Sequence, residues 1–178
     1  MFILIGGGAR SGKSTFALTR ARRMGARRVF VATAERCDDE MSRRIDVHAK
    51  DRGGDFRTVE APFDIVSAID GLEADVVVVD CLTLWLANLL LRGEGEDEML
   101  RRVGALAALL RAKPFHSIVV TNEVGLGIVP ETPLGRAFRD LAGRAHQALA
   151  KTADEVYFGA MGLMIRLRPA PVTCAEEL

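Results

Sequence analysis

The chain has 178 residues, and its 24 Lys and Arg side chains are matched by 24 Asp and Glu side chains. This balance gives no net field that would attract nucleic acid or an acidic membrane surface. No apolar run approaches the ~20 residues that span a bilayer, and Gly-rich sequence directly after a short apolar stretch argues against a signal peptide. The three cysteines are widely separated, which disfavours a disulfide framework or a zinc site. We therefore expect a cytoplasmic protein.

Residues 7–14 read GGARSGKS, which is a complete G-x-x-x-x-G-K-S phosphate loop. The apolar run 2–5 before it predicts a strand, and residues 14–21 after it predict a helix, so that main-chain N–H groups converge on a triphosphate. We predict that Lys13 contacts the β- and γ-phosphates and that Ser14 ligates Mg²⁺. The predicted nucleotide contacts of the loop are Gly7, Gly8, Ala9, Arg10, Ser11, Gly12, Lys13 and Ser14.

Apolar runs and helical stretches then alternate along the chain, as in an α/β protein with a mostly parallel central sheet flanked by helices. Further strands are predicted over 28–33, 57–60 (a short edge strand), 76–80 and 117–121, and helices over 38–51, 63–69, 82–91, 98–112 and 134–153. Two strands near the end, 155–158 and 163–167, predict a C-terminal hairpin. We expect a P-loop NTPase fold of the RecA-like type, with one domain over residues 1–168 and a frayed tail over 169–178.

Ligands of open parallel sheets bind beyond the carboxyl ends of the strands. Asp80 ends the most apolar strand and is the candidate Walker-B carboxylate for Mg²⁺ or its water shell, with a simple turn-forming role as the alternative. Cys81 is interpreted as a small buried residue and not as a nucleophile. Residues 122–130 contain two glycines and a proline, which suits either a loop over the nucleotide or an ordinary surface turn.

The helix predicted over 38–51 carries a histidine on its apolar stripe. Met41, Ile45 and His48 are spaced i, i+4, i+7 and share one face, so His48 is expected to point toward the sheet or the crevice above it. The pattern alone favours a histidine at the edge of the core over a catalytic one. We expect His116 in a loop and His146 on the long helix, and neither has sequence neighbours that indicate chemistry.

Several stretches together resemble the bifunctional adenosylcobinamide kinase / adenosylcobinamide-phosphate guanylyltransferase family of cobalamin biosynthesis. The resemblance runs from about residue 3 to about residue 167. Phosphate loops occur in many NTPases, so the specific part is the motif R-I-x-x-H combined with T-N-E-V-G-x-G-I-V-P. The matching stretches, in family order, are residues 7–14, 32–35, 39–48, 57–60, 80–85 and 121–130.

The resemblance implies two reactions. ATP or GTP phosphorylates the aminopropanol hydroxyl of adenosylcobinamide. His48 attacks the α-phosphate of GTP, and the guanylyl-histidine then passes GMP to adenosylcobinamide phosphate, giving adenosylcobinamide-GDP. An imidazole nitrogen suits this role because it is nucleophilic near neutral pH and its phosphoramidate is labile. The resemblance also implies Mg²⁺ as cofactor and a homotrimer.

The family pattern assigns further nucleotide contacts. Glu60 is expected to accept hydrogen bonds from the guanine N1–H and amino group. The other residues expected to line the nucleotide are Thr33, Ala34, Glu35, Ala49, Lys50, Asp51 and Arg52. The chain departs from the pattern at His146, where the family carries Asn, and in the hairpin around Gly162. These departures are expected to affect the surface that binds the corrinoid substrate or an interface between subunits.

Two other functions stay open on the sequence. A single-activity P-loop kinase for another small alcohol would keep Lys13, Ser14 and Asp80 but would have no use for His48. A GTP-binding switch module would turn over slowly and respond to a partner. The sequence leaves open whether Glu123, Asp80 or neither is the base of the kinase step. Because one nucleotide site must serve both γ- and α-phosphate transfer, we expect helix 38–51 or the loop after it to move.

Overall fold

The computed structural model describes residues 1–177, apart from the side chains of Arg44, Asp51 and residues 173–177; Leu178 lies outside the described residues. The strands are β1 Phe2–Gly7, β2 Arg28–Ala32, β3 Arg57–Glu60, β4 Val76–Asp80, β5 His116–Val120, β6 Glu155–Ala160, β7 Leu163–Arg168 and β8 Thr173–Glu177. The helices are α1 Lys13–Arg22, α2 Asp39–Arg52, α3 Ile65–Asp70, α4 Leu82–Leu91, α5 Glu96–Ala112 and α6 Pro133–Thr152, with a 3₁₀ turn at Gly53–Asp55.

The strands form one sheet in the order β3-β2-β4-β5-β1-β6-β7-β8. The first six are parallel, so the carboxyl ends of β1, β2, β4 and β5 meet at one edge of the sheet. β7 and β8 add as antiparallel strands. Because β1 lies between β5 and β6, the phosphate loop leaves the sheet near its middle. The strands on both sides can therefore contribute residues to a site around this loop.

The core fills both faces of the sheet. On one face α1 packs through Phe16, Ala17 and Leu18 against inward residues of β1, β4 and β5. On the other face α3, α4, α5 and α6 cover a larger cluster that includes Trp85, which is 1% exposed. The four valines of β4 are fully buried, as expected for a parallel strand covered on both sides.

The sequence-based element boundaries agree with the structure to within two residues, and those of β3, β4 and α4 agree at both ends. The mostly parallel sheet, the flanking helices and the C-terminal hairpin are confirmed. Two predictions were wrong. His116 is the first residue of β5 and does not lie in a loop. The tail is not frayed throughout, because β8 pairs with the edge of β7 and supplies partners for its main-chain groups.

Among the described residues, no helix is both long and apolar enough to cross a membrane.

Candidate functional site

The phosphate loop is held by backbone conformations that suit glycine. Gly7 has φ +151°, and a Cβ there would lie 2.5 Å from the Gly159 carbonyl oxygen of neighbouring β6. Gly12, at φ 87°, is the N-cap of α1, so the first turn of this helix starts inside the loop. The loop therefore opens its main-chain N–H groups at a helix N-terminus, which is a favourable position for phosphate.

Lys13 lies inside the loop, with 7% of its surface exposed. Its Nζ donates a hydrogen bond to the Gly8 carbonyl oxygen at 2.9 Å. Burial lowers the pKa of Lys13, while the nearby Asp80 carboxylate acts in the opposite direction. An ammonium group with few solvent contacts interacts strongly with phosphate oxygens, because little water screens its charge.

Asp80 ends β4 beside the phosphate loop. Burial raises the pKa of this carboxyl group, and a hydrogen bond from Ser14 and the positive charges of His48, Lys13 and Arg52 oppose that rise. The structure thus brings five predicted site residues into one electrostatic neighbourhood. A hydroxyl and a carboxylate side by side are hard oxygen donors, so Ser14 and Asp80 fit Mg²⁺, which uses one or two protein oxygens together with phosphates and waters.

The backbone after Asp80 is held by Thr33, one of the residues predicted to line the nucleotide. The Thr33 hydroxyl donates to the Cys81 carbonyl oxygen at 2.8 Å and accepts from the Cys81 N–H at 2.7 Å. Thr33 is fully buried, so its side chain supports the end of β4 and lies away from the surface that a nucleotide would contact. Cys81 is buried, which raises the pKa of its thiol to about 11 and agrees with its interpretation as a small buried residue.

A first cleft, here called the α2 cleft, has a volume of about 370 Å³. The predicted residues Ala34, Glu35 and Glu60 line it together with Ile45 of α2. The cleft lies beyond the carboxyl ends of β2 and β3. Its lining residues are Ala32, Ala34, Glu35, Arg36, Cys37, Ile45, Glu60 and Pro62.

Helix α2 forms the outer wall of the α2 cleft. The Asp38 side chain caps it by accepting from the Met41 N–H at 2.7 Å. Met41 and Ile45 are half-buried, but His48 is exposed, so the predicted stripe does not continue inward as far as His48. His48 is nevertheless near enough to Asp80 to influence the pKa of that carboxyl group.

The last turn of α2 joins the helix to the sheet. The Arg52 guanidinium lies 4.1 Å from the centroid of the Phe30 ring, and its Nη2 donates to the Thr58 hydroxyl at 3.3 Å. Burial lowers the pKa of Arg52. Ala49 and Lys50 are exposed, and the Asp51 side chain lies outside the described residues.

A second cleft, here called the β6 cleft, has a volume of about 400 Å³ on the other side of the phosphate loop. Glu123 reaches it from the loop after β5, and its main-chain N–H donates to the Gly7 carbonyl oxygen at 2.9 Å. The lining residues are Gly8, Ala9, Arg10, Ser11, Glu123, Leu126, Phe158, Gly159, Ala160 and Met161. Glu123 and Leu126 thus bring the segment 122–130 beside the phosphate loop.

His146 lies beside two polar side chains that the sequence pattern did not indicate. Its Nε2 lies 2.8 Å from the Thr121 hydroxyl oxygen, and its Nδ1 lies 3.6 Å from Glu123 Oε2. Burial lowers the pKa of His146, while Glu123 acts in the opposite direction. Thr121 and Glu123 lie in the segment directly after β5, and His146 lies on α6. The one sequence signal available was the departure from the family pattern at position 146.

The fold and the phosphate loop define a nucleotide-binding P-loop protein of the RecA-like class. The chain is similar in structure to the RadB recombinase, with a TM-score of 0.55 and 16% identity over 97% of this chain and 85% of that one. It is also similar to a prototypical ATPase from the type III secretion system of pathogenic bacteria, with a TM-score of 0.57 and 15% identity over 90% and 51% of the two chains. These likenesses confirm the predicted fold class.

The family is shown by sequence. The family model described as cobinamide kinase / cobinamide phosphate guanyltransferase matches residues 3–167. A bifunctional adenosylcobalamin biosynthesis protein CobP of Pseudomonas aeruginosa is 42% identical over 95% of this chain and 98% of its own length. Proteins called bifunctional adenosylcobalamin biosynthesis protein CobU are 39% identical in Salmonella typhimurium and 36% in Escherichia coli, each over 94% of this chain and 100% of the relative. The chain belongs to this family and is an enzyme, which confirms the resemblance.

Proposed function

We propose that the chain catalyses both reactions that its family is named for, using one nucleotide site. In the first, the aminopropanol hydroxyl of adenosylcobinamide attacks the γ-phosphorus of ATP or GTP. A new phosphorus–oxygen bond forms, the bond to the β-phosphate oxygen breaks, and the hydroxyl proton leaves to a base. In the second, the product adenosylcobinamide phosphate receives GMP and becomes adenosylcobinamide-GDP.

His48 is the proposed nucleophile of the guanylyl half. Its imidazole nitrogen attacks the α-phosphorus of GTP, a phosphorus–nitrogen bond forms, and pyrophosphate leaves with the electron pair of the broken phosphorus–oxygen bond. A phosphate oxygen of adenosylcobinamide phosphate then attacks the same phosphorus and releases the histidine. Two displacements avoid a direct attack by a poor phosphate nucleophile on GTP.

The phosphate loop supplies the electrostatic part of both reactions. Main-chain N–H groups of residues 7–14 and the Lys13 ammonium are proposed to hold the β- and γ-phosphates. Ser14 and Asp80 are the proposed Mg²⁺ ligands, and Mg²⁺ when bound neutralises charge on the transferring phosphate. The short distance between the Lys13 ammonium and the loop carbonyl of Gly8 supports a lysine already directed to this position.

The α2 cleft is the proposed guanine site. Glu60 lines it and would accept from the guanine N1–H and amino group, which adenine cannot offer in this pattern. Ala34 and Glu35 line the same cleft, and Ala49, Lys50, Asp51 and Arg52 follow His48 along α2. Thr33 would act through the backbone that it supports at Cys81. With guanine in the α2 cleft and the β- and γ-phosphates at Lys13, the α-phosphate would lie between these two positions.

One observation carries this proposal above the others. His48 lies on α2, the helix whose Ile45 lines the α2 cleft together with Glu60, and it is near enough to the buried Asp80 carboxyl to influence its pKa. A single-activity kinase has no need for a histidine in that position. This placement of His48, on the helix beside the proposed guanine site and near Asp80, supports its role as the nucleophile.

The test is incubation with Mg²⁺ and α-labelled GTP in the absence of corrinoid, followed by denaturation. We expect wild type to retain label in an acid-labile, base-stable form and His48→Ala to retain none. Val47→Ala, an exposed neighbour on the same helix, is the matched control and should label normally. Unlabelled wild type that still transfers γ-phosphate to adenosylcobinamide would leave a kinase alone.

The nucleotide preference of the kinase half and the homotrimer remain predictions. Rates with γ-labelled ATP and GTP measured in parallel address the first. Sedimentation equilibrium of the purified protein addresses the second, and a mass of one or two chains would contradict the trimer.

A further inference from the structure

The Glu123 carboxylate is built into the wall of the β6 cleft. Its main-chain N–H is bound to Gly7 of the phosphate loop at 2.9 Å, and its Oε1 accepts from the Gly125 N–H at 2.5 Å. The side chain is 26% exposed and lines the cleft together with residues 8–11. A carboxylate is therefore fixed next to the loop that holds the transferring phosphate.

His146 lies next to the second oxygen of this carboxylate. His146 Nδ1 lies 3.6 Å from Glu123 Oε2, and in the tautomer with the proton on Nδ1 its Nε2 accepts from the Thr121 hydroxyl at 2.8 Å. Thr121 is 2% exposed, so the far end of this chain of groups is anchored in the core. The Glu123 oxygens keep unused lone pairs, because each carboxylate oxygen can accept two hydrogen bonds.

Building on the two-reaction function proposed above, we propose that Glu123 is the proton acceptor of the kinase half and that His146 is its positioning residue. The hydroxyl proton of the substrate moves to a Glu123 oxygen as the hydroxyl oxygen bonds to the γ-phosphorus. The bond from the γ-phosphorus to the β-phosphate oxygen breaks, and its electron pair leaves with the nucleoside diphosphate. Glu123 then returns the proton to solvent.

The placement of the two candidate carboxylates favours Glu123 over Asp80 for this step. Asp80 lies near Ser14, Lys13 and Arg52, the side of the site that is proposed to hold Mg²⁺ and phosphate. Glu123 opens on a cleft whose rim carries the exposed apolar side chains of Leu126 and Met161, 79% and 100% exposed. A cleft with a carboxylate inside and an apolar rim fits an alcohol carried on a large, partly apolar molecule.

The first experiment separates the two halves of the enzyme. For Glu123→Gln, transfer of γ-label to adenosylcobinamide should fall about 10²-fold or more, the usual contribution of a general base. The label left on His48 by α-labelled GTP should fall far less, because attack by the histidine needs no proton acceptor in the β6 cleft. Glu131→Gln, an exposed residue further along the same loop, is the matched control for both assays.

The outcomes are distinct. Equal losses of both activities in Glu123→Gln would mean that the residue only shapes the phosphate loop, and unchanged kinase activity would mean that it is not the base; either result overturns the inference. Wild type that labels His48 but transfers no γ-phosphate would overturn the proposed kinase function itself, and this inference with it.

The second experiment tests the positioning role. His146→Phe should lower kcat of the kinase half about 10- to 100-fold with little change in KM, because a misplaced base lowers the rate of the bound complex. His146→Asn keeps a side-chain donor for Glu123 and should restore most of the rate. Equal rates in the two variants, or a change confined to KM, would contradict positioning through His146.

Discussion

The two clefts beside the phosphate loop differ in how their walls are held. The β6 cleft is formed by strand ends and by Glu123, whose carboxylate lies beside the largely buried His146, which in turn is hydrogen-bonded to the buried Thr121. The α2 cleft has a helix as its outer wall, and among the described side chains of that helix only Arg52 is buried. Elements with few buried apolar contacts open at low free-energy cost. We infer that the wall carrying His48 can move while the wall carrying Glu123 stays in place.

This difference suits one nucleotide site with two tasks. The proposed transfer of the γ-phosphate would use a fixed base and a fixed acceptor on one side of the loop. The proposed transfer through His48 would need the histidine to approach the α-phosphate and then to present the bound GMP to a second substrate. A loosely packed helix that remains attached through Arg52 and the Phe30 ring allows both positions.

Replacing Lys13 should remove the chemistry of both clefts. Lys13→Met keeps most of the buried stem but removes the charge, so γ-transfer and His48 labelling should each fall about 10²- to 10³-fold. The exposed Lys151→Ala on α6 is the control. If either reaction kept its wild-type rate in Lys13→Met, the two clefts would not share one phosphate site.

Replacing Glu60 should affect base selection in the α2 cleft. A carboxylate that accepts two guanine donors contributes about 1.5–3 kcal/mol, so Glu60→Gln should lower the preference for GTP over ATP in His48 labelling about 10- to 100-fold. Glu73→Gln, which is exposed and outside both clefts, is the control. An unchanged nucleotide preference in Glu60→Gln would move the guanine site elsewhere.

The sequence predicted what is encoded locally. The phosphate loop is a contiguous motif, and the four valines of β4 and the apolar residues of α4 determine the type of each element within a few positions. The fold therefore followed from the alternation of elements. The Thr121, Glu123 and His146 cluster was missed because it depends on how α6 packs beside the end of β5, which no short pattern encodes.

Two other differences between the sequence-based predictions and the structure also depend on tertiary contacts. The exposure of His48 depends on how α2 packs against the rest of the fold, whereas its spacing in the sequence only defines a helix face. The strand β8 was missed because its pairing depends on the free edge of β7, while Pro169 and Pro171 favoured an irregular tail. In both cases the tertiary neighbours decided the outcome.

The pH dependence of unfolding tests how firmly His146 is buried behind the β6 cleft. Burial lowers the folded-state pKa of His146, so the unfolded chain takes up its proton first as the pH falls below about 6.5. Its contribution to stability is therefore complete above that pH and decreases toward the lower folded-state pKa, by at most about 1.4 kcal/mol per pH unit. The free energy of urea unfolding should fall more between pH 7.5 and 5.5 (about one unit on each side) in wild type than in His146→Asn. Parallel losses would indicate that the imidazole is freely protonated in the folded protein.

The smallest expected effects come from removing the N-cap side chains of α2, which carries His48, and of α6, which carries His146. Asp38 caps α2 through the Met41 N–H at 2.7 Å, and Thr132 caps α6 through the Gly135 N–H at 3.1 Å. Removing either side chain with alanine should cost its helix about 1 kcal/mol. α6 buries Leu141, Ala145 and Leu149 in the core, so for Thr132→Ala this cost should reduce the free energy of global unfolding.

For Asp38→Ala the same cost should stay local, because α2 can open while the sheet remains folded. Amide hydrogen exchange over residues 39–52 should become about fivefold faster, the factor that corresponds to 1 kcal/mol, with no change in the urea midpoint. GTP should slow exchange in this segment in wild type, since the proposed guanine site includes α2. If Asp38→Ala lowered the urea midpoint as much as Thr132→Ala, α2 would be part of the cooperative fold, and a moving wall could not explain how one site serves two transfers.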